Sequence, residues 1–147
     1  SLHDALPISV EAYQKYLFDS GEAEHELADF IDAVTTNKTD FFREPAHFDF
    51  LTKNVLPQVL SSNRMLLRDP FRIWSAGCSS GEEPYTMSMV LSEFADHNPE
   101  FRFSILASDI STQILQTART AVYSEERTDT IPLNIKKKYL MKSFSLH

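Results

Sequence analysis

A single cysteine, Cys78, leaves the 147-residue chain without a partner for an internal disulfide. The histidines at 3, 25, 47, 97 and 147 have no second histidine three to five residues away and no cysteine pair beside them. No zinc ligand set exists, and no metal is expected. No apolar run approaches the roughly 20 residues that cross a bilayer, so direct membrane insertion is not expected. Basic residues are outnumbered, 14 against 21 acidic, and the net charge of -7 excludes a nucleic-acid or anionic-membrane surface carried by the whole chain. Internal repeats and low-complexity segments are absent. These absences leave a reduced, cytoplasmic protein as the expectation. What is present is a 42% hydrophobic composition, enough for one ordinary domain or for a small helical unit plus part of a second.

The ends stand apart. SLHDALPIS has neither helical nor strand period, and the chain closes on the same SLH with which it opens. Residues 1–9 are therefore expected to be a non-native flank. SVEAYQKYLF then reads as a helix with Ser9 at its N-cap. EAEHELADFIDAV places Leu27, Phe30, Ile31 and Val34 on one helical face. HFDFLTKNVLPQVL sets Phe48, Leu51, Val55 and Val59 at helical spacing, with Pro57 expected to kink or end it. SSNRMLLRDP reads as a surface loop. After Pro70 the pattern changes to strand (FRIWSA), glycine loop (GCSSGEEPY) and a helix with Met87, Val90, Leu91 and Phe94 on one side. A second strand (FRFSILASD) and a helix capped by Ser111, with Ile114, Ala118 and Ala121 on one side, follow. NIKKKYL is a weaker helix. A βαβα order implies a parallel sheet. The expected division is a partial helical domain over 10–60, a linker over 61–70 and a partial α/β domain over 71–144. Two parallel strands make no stable sheet alone, so the α/β part is expected to be unfinished.

Glycines 77 and 81, between strand and helix, let the chain turn tightly and bring bare backbone close to a ligand. Their spacing matches neither the dinucleotide fingerprint nor a phosphate loop. Glu82 and Glu83 stand where a phosphate would lie and would repel it. Either glutamate can equally be a residue that complements the positive helix N-terminus, with Pro84 in the first turn. Asp109 ends the second strand, where a carboxylate with two acceptor oxygens suits a ribose diol; turn chemistry ahead of Ser111 is its structural alternative. A non-phosphate glycine loop with an acid after each strand suits S-adenosyl-L-methionine, which has a ribose diol, a positive sulfonium and no phosphate. Cys78 reads as a small buried residue rather than a nucleophile. Tyr85 and Trp74 read as core, and Lys136–Lys138 as a solvated helix face.

TTNKTDFFRE (35–44), RIWSAGCSSGEEPYTMSMVL and ILASDISTQILQTARTAVYS, in this order and spacing, resemble the CheR-type bacterial chemotaxis receptor methyltransferases. The likeness runs from about residue 10 to about residue 142. It implies a small N-terminal helical domain followed by the first half of a doubly wound, Rossmann-like methyltransferase domain, truncated at both ends. It further implies an S-adenosyl-L-methionine-dependent protein-glutamate O-methyltransferase acting on the cytoplasmic domain of chemoreceptors. By resemblance Asn37, Thr39 and Arg43 reach the cofactor, Glu83 contacts it from the glycine loop beside Gly77, and Asp109 holds its ribose. Arg43 is also the residue expected to place the acceptor carboxylate, as a guanidinium fork can. Ser80 replaces the family's threonine and keeps the hydroxyl. As it stands, the chain is expected to bind cofactor weakly or not at all and to be inactive. Two rival readings are a methyltransferase with another acceptor and a non-catalytic docking module of the same fold. Phe41 and Phe42 are expected to pack between the helical part and the sheet.

Overall fold

Alternation in FRIWSA and FSILAS decides the centre of the molecule. The computed structural model describes residues 9–19, 24–35, 37–62 and 69–142, and in it these segments form strands β1 (Phe71–Ala76) and β2 (Phe103–Ser108). They pair in parallel, with Ile73 opposite Ile105. Phe71, Ile73, Phe103 and Ile105 turn to one face, where they meet buried Leu56, Leu91 and Phe101. Each fully buried leucine contributes on the order of 2 kcal/mol of apolar burial. Period two sends Trp74 and Leu106 to the other face, where they are 65% and 64% exposed. The expectation that Trp74 is a core residue is therefore wrong among the described residues; its indole N–H donates to Ser108 Oγ at 2.9 Å.

The helices run α1 (Val10–Asp19), α2 (Glu24–Val34), α3 (Pro45–Phe50), a π-helical turn (Leu51–Val55), α4 (Leu56–Ser62), α5 (Glu82–His97), α6 (Thr112–Thr120) and α7 (Leu133–Tyr139). A 3-10 turn, Glu126–Thr128, precedes the last. Ser9 caps α1 by accepting from the Ala12 N–H at 3.2 Å, and Ser111 caps α6 by accepting from Ile114 at 3.1 Å, both as the sequence indicates. Tyr13 ties α1 to α2 through a 2.8 Å bond to Glu26. The apolar face expected on α2 is only partly covered: Val34 is 61% exposed.

Pro57 does not end its helix. It lacks an N–H and its ring crowds the carbonyl one turn back, and the chain answers by widening into the π turn just before it. Helix then resumes through Ser62, so Ser61 and Ser62 are not loop; the rest of the expected surface loop, 63–68, lies outside the described residues. The expected flank lies outside them too, except Ser9.

Helix α5 is buried on two sides, which a single apolar stripe does not show. Leu91 and Phe94 face the sheet cluster as expected. Met89 and Tyr85 face a second cluster with Phe41, Ile131 and Ile135, while Met87 and Val90 are only half-buried. Phe41 therefore packs between α5 and the C-terminal segment, edge-on to Tyr123 at 4.9 Å, and not between the helical part and the sheet. Phe42 lies edge-on to Phe48.

The lysine run is not uniformly solvated. Lys138 donates to Glu93 and Asp96 of α5 and so fastens α7 to it, while Lys136 reaches Asp129. The hydrogen bonds from Lys138 lower both carboxyls below their ordinary range. A depressed carboxyl stabilises the fold above its unfolded pKa, and that contribution is lost as pH falls through the folded value. Lys138→Met is expected to lower the melting temperature by a few degrees at most at pH 7, since the groups are exposed. The difference should shrink between pH 7 and about pH 3, as the pH falls through the ordinary carboxylate range, and vanish only once both depressed carboxyls are protonated. An equal difference at both pH values would contradict this assignment.

Candidate cofactor cleft

The loop from Gly77 to Gly81 holds three left-handed residues: Gly77 (φ 74), Ser79 (φ 50) and Gly81 (φ 99). Gly77 is needed for conformation alone, since nothing lies within 4 Å of where a Cβ would stand. At Gly81 a Cβ would come within 2.8 Å of Tyr123 Oη, so space and conformation both demand glycine. Ser79 has no such freedom and is held by its bonds. Its N–H donates to Asp109 Oδ2 at 2.7 Å, and its hydroxyl donates to the Asn37 carbonyl at 3.2 Å. The N–H groups of Gly77 and Cys78 both donate to the Ser108 carbonyl, which ties the loop after β1 to the end of β2.

Opposite this loop runs the segment 37–43, fixed at several points. Asn37 bonds Ser79, Phe41 is buried, and the Phe42 N–H donates to Thr86 Oγ1 at 3.1 Å. Arg43 sits between two left-handed non-glycine residues, Phe42 (φ 54) and Glu44 (φ 53), a strained arrangement that persists only where the surroundings over-determine it. Its guanidinium donates to the Lys38 carbonyl at 3.1 Å and is otherwise exposed.

Loop and segment enclose a cleft of about 320 Å³. Asn37, Thr39, Arg43, Gly77, Glu83 and Asp109, the residues singled out from the sequence, all line it. Lys38, Ser79 and Ile110 line it as well and were not singled out. Lys38 belongs to the same short motif, but Ser79 enters through a backbone conformation that its residue type does not announce.

The two adjacent glutamates part company. Glu83 faces the cleft and accepts from Ser75 Oγ at 2.7 Å. Glu82, one helical step round, is fully buried, with one oxygen bonded by Arg127 and the other by Ser80 Oγ at 2.6 Å. It is a structural ion pair, not a second carboxylate of the cleft. Tyr123 donates to the Ser80 carbonyl at 2.6 Å; burial, and then the nearby Glu82 charge, raise its phenol far above the ordinary range, so it remains a donor. Cys78 is 1% exposed, and burial, then Asp109, push its thiol up, which fits the reading of an inert buried residue.

The cleft suits a cofactor of one chemistry. Each Asp109 oxygen takes one backbone N–H, from Ser79 and from Ser111 at 3.0 Å, and keeps a lone pair for a hydroxyl, as a diol requires. Carboxylates at Glu83 and Asp109 disfavour a phosphate, while Lys38 and Arg43 at the other side suit a carboxylate terminus.

A parallel strand pair, a glycine loop and an acid after each strand define a Rossmann-like α/β cofactor domain. Comparison with known proteins narrows the class. Residues 37–146 match the family described as "CheR methyltransferase, SAM binding domain". The chain is 47% identical to a chemotaxis protein methyltransferase of Borreliella burgdorferi over 116 residues, 78% of this chain and 41% of that one. It is 40% identical to chemotaxis protein methyltransferase 2 of Pseudomonas aeruginosa over 77% of this chain and 38% of that one. It is 33% identical to the Escherichia coli chemotaxis protein methyltransferase over 89% of this chain and 42% of that one. The chain belongs to the CheR methyltransferase family, whose cofactor is S-adenosyl-L-methionine, and it spans about two fifths of the length of these relatives.

Proposed function

We propose that this chain is the cofactor-binding part of a cytoplasmic protein-glutamate O-methyltransferase that esterifies glutamate side chains of chemoreceptors. The observation that carries the reading is the convergence of Asn37, Thr39, Arg43, Glu83 and Asp109 on one cleft from three separate stretches of sequence. S-adenosyl-L-methionine supplies an activated methyl group on a positive sulfonium. Asp109 accepts the ribose hydroxyls, Glu83 takes a polar group from the loop side, and Asn37 and Thr39 hold the other end from the opposite wall. Arg43, exposed at the rim, pairs with the acceptor carboxylate in a two-pronged bond and keeps it ionised, the form that attacks. No general base is needed for an acceptor that is already an anion; alignment and exclusion of water supply the rate.

Two observations favour a longer parent protein: the two-fifths coverage of the relatives, and the exposure of Trp74 and Leu106 on the outer sheet face, in a type of sheet usually covered on both faces. Activity is accordingly assigned to the complete protein, which we take to be divided near 61–70 into a helical and an α/β part. Incubating that protein with methyl-labelled S-adenosyl-L-methionine and chemoreceptor cytoplasmic fragments should place label on the receptor, released as methanol by mild alkali as a carboxyl ester would be. Label on a small molecule, or alkali-stable label, would redirect the acceptor; no transfer to any acceptor despite cofactor binding would favour a docking module.

A further inference from the structure

The cleft wall formed by residues 37–43 is held by backbone anchors at Asn37, Thr39 and Phe42. Two of them come from the glycine loop and α5, through Ser79 and Thr86. The middle one comes from far along the chain: Arg127 Nη2 donates to the Thr39 carbonyl at 3.3 Å. The same nitrogen reaches Ser80 Oγ at 3.3 Å and pairs with Glu82. Three acceptors share two N–H protons, one on the 37–43 segment and two at the end of the glycine loop and the start of α5. Tyr123, four residues before Arg127, bonds the Ser80 carbonyl from the same segment, so the 123–127 stretch grips the glycine loop twice.

The charges make this junction more than a tether. Glu82 is a fully buried carboxylate, and Arg127 is its cation, half-exposed on the outer side. A buried charge needs a partner, and the same guanidinium nitrogen that pairs with Glu82 also reaches the Thr39 carbonyl.

Resting on the site reading above, we propose that Arg127 is a positioning residue for methyl transfer. Through Thr39 it fixes the wall that carries Asn37, Thr39 and Arg43, and it does so by the same contact that neutralises Glu82. Neutralising Glu82 and placing the wall are separable. Arg127→Met removes both, whereas Glu82→Gln combined with Arg127→Met removes the buried charge and leaves only the lost anchor.

The test uses the complete protein, with calorimetric titration of S-adenosyl-L-methionine, thermal melting and amide hydrogen exchange. R127M should weaken cofactor binding about tenfold or more and lower the melting temperature. E82Q/R127M should recover most of the melting temperature but not the affinity, and amides of 37–43 should exchange faster in it while β1 and β2 are unchanged. Recovery of both properties in the double variant would overturn the proposal and leave Arg127 a charge partner only. Unchanged affinity in R127M would overturn it too. Failure of the unaltered protein to bind the cofactor would instead overturn the reading of the site, and this inference with it.

Discussion

Replacing Arg43 with alanine in the complete protein should cost about a hundredfold or more in methyl transfer and almost nothing in stability. The side chain is exposed, its hydrogen bond goes to a backbone carbonyl within its own segment, and it belongs to neither apolar cluster. Surface substitutions of that kind usually stay within about 0.5 kcal/mol. Under the proposed function it loses a charge-assisted fork on the acceptor carboxylate, and a hundredfold in rate corresponds to about 2.7 kcal/mol of lost transition-state stabilisation. Lysine at this position keeps the charge without the fork and should recover only part of the rate. Initial rates and melting curves on the three proteins check this; equal loss of activity and stability in Arg43→Ala would favour a structural role.

The second large effect is expected at Asp109, where function and structure are joined. Its two oxygens bond the N–H of Ser79, which holds the glycine loop in a left-handed turn, and the N–H of buried Ser111 at the start of α6. Asp109→Ala leaves both donors unpaired, at about 1–3 kcal/mol for a buried group without a partner. Under the proposed function it also removes the acceptor for the ribose diol, so cofactor affinity should fall about a hundredfold. Asp109→Asn keeps the size and one acceptor oxygen but presents an NH2 to one of the two donors; both losses should appear, each smaller. Calorimetry with S-adenosyl-L-methionine alongside denaturant unfolding separates the two effects. Unimpaired affinity in Asp109→Ala would remove the residue from the site.

The parts of this molecule visible in its sequence are those governed by local rules. Short apolar runs rich in strand formers mark β1 and β2, the serine caps mark α1 and α6, and the glycines mark the loop. Asn37, Thr39 and Arg43 come from no local rule but from the likeness of TTNKTDFFRE to the CheR-type methyltransferases, and they line the same cleft as Glu83 and Asp109. The rest depends on where the chain meets itself. Glu82 and Glu83 are neighbours of one type; a single step of about 100° around the helix sends one into the interior and leaves the other in the cleft. The cation that makes the first tolerable stands 45 residues away, in a turn whose sequence gives no sign of it. Met89 escapes a one-stripe reading because α5 is buried on two sides, and Phe41 because its partners, Ile131 and Ile135, come from the far end of the chain. Trp74 follows the alternation of its strand even though its size suggests core.

The most direct measurement is a crystal structure of the complete protein grown with S-adenosylhomocysteine, the cofactor without its methyl group. The geometry predicts the ligand between the 77–81 loop and the 37–43 segment, with its ribose hydroxyls on Asp109 and its amino-acid end toward Arg43. A ligand seated elsewhere, with Asp109 and Glu83 untouched, would contradict the assignment of this cleft.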